Sequence, residues 1–145
     1  VTGGGNTPDE RTVAWGDELV KLHAAFRRDL AELRGGSMRA PDLREHCLTF
    51  CEALHAHHTG EDDVLFPHLD GLHPELTAVL DRLREEHRVV GRLLARIRAL
   101  AGAGGRTEIG AELDRLAGEL EAHLDYEEEQ LVPLLNAMTD MPENL

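Results

Sequence analysis

Between Ile109 and Leu134 the apolar residues recur at helical spacing (Ile109, Leu113, Leu116, Leu120, Leu131, Leu134), and the same stripe carries His123 and Glu127. A carboxylate on the buried side of an amphipathic helix is expensive to strip of water unless it is paired or bound to a metal. The chain makes this arrangement twice. His57, Glu61, Leu65 and Pro67 repeat in order as His123, Glu127, Leu131 and Pro133, and a second pair of histidines, His23 and His87, keeps nearly the same separation. On a helix, residues four apart lie one turn above each other on one face, so each His-x-x-x-Glu can grip one ion with both side chains. Any fold for this chain must bring these groups together inside it.

The remaining stripes predict how. A helix is expected from Thr7-Pro8-Asp9-Glu10, a hydroxyl cap with proline and acids in the first turn, to Arg34, with Leu19, Leu22, Phe26, Leu30, Leu33 and His23 inward. Gly35-Gly36-Ser37 ends it, and Pro41-Asp42 opens a second with Leu43, His46, Phe50, Leu54, His57, Glu61 and Leu65 inward, closed by Pro67 and Gly71. His73-Pro74-Glu75 starts a third, with Leu76, Leu80, Leu83, His87, Val90, Leu94 and Ile97 inward, which the glycines at 102–105 break. Thr107-Glu108 starts the fourth, and Pro133 and then Met141-Pro142 end it. Four amphipathic helices with short loops give an all-α fold, an up-down-up-down four-helix bundle over residues 9–138, flanked by tails at 1–8 and 139–145. At about 1.5 Å per residue, His23 and His87 lie about 16 and 21 Å before a turn, and His57 and His123 about 24 Å after one, so all four can stand at one level.

Composition narrows the partners. A net charge of −13 argues against nucleic acid and against an anionic membrane surface, and suits multivalent cations. No apolar run approaches a membrane span and no signal-peptide pattern opens the sequence, so a cytoplasmic protein is expected. Cys47 and Cys51, four apart on one helix, are poorly placed for a disulfide and read as small buried residues.

Imidazole with carboxylate suits iron, manganese or zinc. A ferritin-like centre needs two Glu-x-x-His motifs, and only Glu52-x-x-His55 fits, with His55 turned about 200° from His57 at ~100° per residue. The arrangement instead resembles the hemerythrin-like family of HHE cation-binding domains. The resembling residues are His23, then His57-x-x-x-Glu61 with Leu65-Phe66-Pro67, then His87, then His123-x-x-x-Glu127-Glu128 with Leu131-Val132-Pro133, spanning almost the whole chain. The resemblance implies a hemerythrin-like bundle around two non-haem irons with an oxo or hydroxo bridge, zinc or manganese being alternatives. His23, His57, His87 and His123 would be terminal ligands, and Glu61 and Glu127 bridging carboxylates. It implies O2, NO or peroxide as the small-molecule partner, for sensing, storage or scavenging; a sensing role would need a separate protein partner. A peroxidase- or catalase-like di-iron enzyme and a metal-dependent structural or iron-sensing module are the alternatives.

Two departures bear on the site. Oxygen-carrying members place a second His four after the third-helix His, where this chain has Gly91, so one iron is expected to be open or held by something else. Their last carboxylate comes five after its His, which would select Glu128, whereas symmetry with Glu61 selects Glu127. Tyr126 reads first as a packing residue and alternatively as a phenolate ligand. His46 reads as core or as support for the ligands, His58 with Asp62 as a solvated pair, His68 and His73 as surface residues at helix ends, and the acids of 125–129 other than Glu127 as a solvated face.

Overall fold

A computed structural model describes residues 14–36, 39–103 and 106–138. Helix α1 runs Trp15–Arg34 and α2 runs Ala40–Gly60. The second rod does not stop there. A π-helical turn, Glu61–Leu65, joins α2 to a short helix α3, Phe66–Leu72, without a break in the rod. A 3-10 turn at Pro74–Leu76 leads into α4, Thr77–Ala103, and α5 runs Arg106–Asn136. Each of α1 and α4 packs against both α2 and α5, so the rods close into a ring of four, and the described residues contain no strand. The expected all-α four-helix bundle is what forms.

Apolar burial drives the assembly, and the core is in two parts. One contains Phe26, Leu30, Phe50, Leu54, Ile97 and Leu116; the other contains Leu65, Phe66, Leu69, Leu80, Leu83 and Leu131. Between them in sequence, on every rod, lies a buried His or Glu. The polar groups thus form a layer across the bundle, with hydrocarbon on both sides to keep water out.

Several sequence expectations are revised. Leu22, placed inward, is 42 % exposed. His46 is exposed and Cys47 takes the inward place, with Cys51 buried one turn on; both are free thiols, and burial pushes Cys51 up to about 12. Neither Pro67 nor Pro133 ends a rod. Ahead of Pro67, the Phe66 N–H bonds the Glu61 carbonyl five residues back, and this wider turn absorbs the proline while Glu61, Leu65, Phe66 and Leu69 all stay inside. Pro133 lies on the exposed side of α5, where solvent can satisfy the carbonyl a proline leaves free. The third helix proper starts at Thr77, after the 3-10 turn, and Gly102 sits within its last turn. The expected start at Thr7-Pro8, the stop at Met141-Pro142 and the two tails lie outside the described residues.

At one end, α1 meets α5 backbone to backbone. A Cβ on Gly16 would stand 2.5 Å from the Val132 carbonyl oxygen. The Asn136 side chain accepts a bond from the Asp17 N–H at 3.1 Å and donates to the Asp17 carboxylate at 3.2 Å, capping the otherwise unsatisfied first turn of α1.

Candidate metal centre

Five histidines and two glutamates meet in the layer. His23 comes from α1, His57 and His58 from α2, Glu61 from the π-turn, His87 from α4, and His123 and Glu127 from α5. All six residues expected from the repeat are present, and His58 is added to them. Each of His23, His58, His87, His123, Glu61 and Glu127 is buried, with Glu127 at 0 % exposure, and His57 is nearly so.

The histidines are aimed by carboxylates on neighbouring elements. His23 Nδ1 donates to Glu128 of α5 at 2.7 Å, His123 Nδ1 to Glu86 of α4 at 2.8 Å, and His87 Nδ1 to Asp62 of the π-turn at 2.8 Å. A carboxylate only accepts, so each bond fixes a proton on Nδ1 and, in the neutral ring, leaves the Nε2 lone pair turned inward. Two of the acids are tethered in turn: Arg27 donates to Glu128 at 2.9 Å and Arg82 to Glu86 at 3.0 Å.

The lone pairs converge on the glutamates. Glu61 places Oε1 3.1 Å from His87 Nε2 and Oε2 3.2 Å from His57 Nε2, so its two oxygens serve different sides of the layer. Glu127 Oε1 stands 3.7 Å from His23 Nε2 and 3.5 Å from His123 Nε2. The Nε2 atoms of all five histidines and all four glutamate oxygens are buried without a hydrogen-bond partner. Polar atoms crowded together without partners in a dry core are unfavourable unless a cation lies among them. The donors fall into two sets that share Glu61: His58, His87 and His123 in one, His23 and His57 in the other, the candidate atoms of each set lying within 4.8 Å of one another. A nitrogen and oxygen donor set of this kind fits iron, manganese or zinc.

Electrostatics agree with that fit. Burial pulls the His23, His58 and His123 imidazoles below their ordinary range, so they stay neutral and able to bind a cation. For His87 burial acts the same way, but the Asp62 and Glu61 carboxylates outweigh it and hold this imidazole up. Burial and the facing Glu61 charge push Glu127 well above the usual carboxylate range. Burial acts upward on Glu61 too, but Glu127, His57 and His87 outweigh it and hold it low.

His58 corrects the sequence reading most. It is not paired with Asp62 in solvent; it is 4 % exposed and lies flat on His87, with ring centroids 3.9 Å apart and planes at 13°. The signal was present in the spacing. At ~100° per residue, His57 and His58 lie about 40° and 60° to either side of Glu61, so a face centred on the glutamate includes both. The leucine stripe, used as the reference, excluded one. Glu128 is likewise no solvated acid but the partner of His23 and Arg27, which leaves Glu127 as the carboxylate that points inward. Tyr126 stays outside the layer, half-buried under the Arg82 guanidinium at 3.7 Å. His46 and His55 are exposed, and His68 and His73 are only partly covered.

The pattern of helices and inward imidazoles agrees with a family match: the Hemerythrin HHE cation binding domain family model covers residues 16–135. The chain belongs to this family. No curated protein and no solved structure matches it. As a hemerythrin HHE domain it is a helical, cation-binding domain, and its buried His/Glu cluster can take a metal ion. Among the described residues, no helix is long and apolar enough to cross a membrane.

Proposed function

We propose that this domain holds two iron ions in the His/Glu layer and binds O2 or a related small molecule such as NO or peroxide. The observation that carries the proposal is the set of five imidazole Nε2 atoms and four carboxylate oxygens, buried and unpartnered, divided into two sets about Glu61. His58, His87 and His123 would hold one ion, His23 and His57 the other, with Glu61 and Glu127 between them. Iron bound there would supply reversible electron transfer to a small molecule at the less crowded ion.

The rest is work for the protein. Glu128, Glu86 and Asp62 keep three imidazoles in the tautomer that presents Nε2. The apolar clusters on both sides exclude bulk water. The unequal division of the histidines supports a vacant position beside His23 and His57, rather than one created by Gly91, because His58 fills the place next to His87. The same vacancy favours a second reading, turnover of peroxide, which needs a vacant position on the metal.

Metal content per chain, with the absorption spectrum before and after dithionite and on return to O2, tests the proposal. Two irons per chain with bands that bleach on reduction and return with O2 are expected. Little iron, or a single zinc, would overturn it. Loss of peroxide well above that caused by free iron would favour the second reading.

A further inference from the structure

The bonds that aim the histidines also tie the rods together, and they leave one seam untied. Glu128 to His23 joins α5 to α1, Glu86 to His123 joins α4 to α5, and Asp62 to His87 joins the second rod to α4. Between α1 and α2, no hydrogen bond or ion pair is found among the described residues. Rings meet there instead: Phe26 stands 5.5 Å from His57 and 6.2 Å from Phe50.

A surface groove of about 180 Å³ runs into this seam, lined by Phe26, Asp29, Glu32, His46, Phe50 and Ala53 among others. Its end at Phe26 and Ala53 is one helical turn along the rods from His23 and His57. The side chain of His57 keeps 13 % exposure, while those of His23, His87 and His123 keep 3 % or less. A larger groove of about 520 Å³ lies between α1 and α5, but Arg27 and Arg34 line it and both make ion pairs across it. Its two arginines are matched by Asp114 and Glu121, so a cation gains no net attraction there and would have to break those pairs. At the α1–α2 groove, the carboxylates of Glu32 and of Asp29, the latter 3.9 Å from Arg28, attract it, and only a ring must move.

We propose that the α1–α2 seam is the route by which the metal ion reaches the layer, with the Phe26 ring as its gate and His57 the first imidazole met. The inference rests on the metal-binding reading above. A gate changes the height of a barrier and not the depth of the site. Opening it must therefore speed loading and release by the same factor and leave the dissociation constant where it was.

The test has two arms. In the first, Co2+ is mixed with metal-free protein and later withdrawn by a chelator. Phe26→Ala should speed both steps about tenfold, a barrier change of ~1.4 kcal/mol, and Ala53→Leu, which fills the groove from an exposed position, should slow both. Leu93→Ala, a core truncation on α4, should change neither. In the second arm, metal-free protein is treated with diethyl pyrocarbonate and the modified imidazoles are mapped by mass spectrometry. His57 should react before the other four histidines of the layer, faster in Phe26→Ala and slower in Ala53→Leu. Rates insensitive to Ala53→Leu, an equal acceleration by Leu93→Ala, or earlier modification of His87 or His123 would overturn the gate. If no variant takes up Co2+, the metal reading fails, and the modification pattern still decides whether this seam is the one that opens.

Discussion

The imidazoles of His58 and His87 stack at 3.9 Å, one from α2 and one from α4, with both Nε2 atoms buried and unpartnered. Two adjacent histidines on α2, His57 and His58, therefore face opposite sides of the same glutamate, one in each donor set. Replacing His58 by Leu should lower the metal content from two ions per chain to one, measured by elemental analysis after gel filtration. The metal-free variant should be no less stable than the parent, because a buried Nε2 without a hydrogen-bond partner gives way to an apolar side chain. Two retained ions would show that His58 only packs.

Glu128, Glu86 and Asp62 touch imidazole Nδ1 atoms on the side away from the layer. Glu128→Gln and Glu86→Gln remove charge while keeping shape, and each should weaken metal binding by about 10–100-fold. A chelator competition titration reads this directly, and helix content by circular dichroism should be unchanged. Affinity equal to the parent would mean that packing alone orients His23 and His123.

The pH dependence of the metal-free protein follows from the buried groups. His23, His58 and His123 have lowered values when folded, so between those values and the ordinary 6.5 the unfolded chain binds more protons than the folded one. Stability from these three is fully present above about pH 6.5 and is lost as pH falls below it. Glu127 and His87 have raised values and act in the opposite sense, contributing stability that is lost as pH rises through those values. Three lowered groups against two raised ones leave a net fall, and the metal-free melting temperature should drop between pH 7 and pH 5. Metal should raise the melting temperature at pH 7, by ~2.7 kcal/mol of stability at a hundredfold excess over the dissociation constant. A flat profile without metal would contradict the burial of neutral imidazoles.

Gly16 and Gly118 should respond oppositely to alanine. A Cβ at Gly16 would meet the Val132 carbonyl at 2.5 Å, and relieving that contact means separating α1 from α5, at a cost of about 1–3 kcal/mol. At Gly118, exposed on α5 with nothing within 4 Å of the added carbon, alanine should stabilise by about 0.5–1 kcal/mol through helix propensity. Urea unfolding of both variants checks the pair.

The sequence by itself determined the class of fold and six of the residues in the layer. Leucine stripes at helical spacing admit few folds other than a bundle, and carboxylates at Glu61 and Glu127 within such stripes require partners, which the repeat supplies as histidines. These are properties of one helix at a time, and spacing reports them. The course of the second rod through Pro67, the inward turn of His58, the pairing of Glu128 with His23 and the untied seam at Phe26 were decided by the tertiary structure. Each depends on where one rod's side chains meet another's. Stripe spacing is blind to a π-turn that re-registers the helix, and to a carboxylate from α5 arriving at Nδ1 of a histidine on α1.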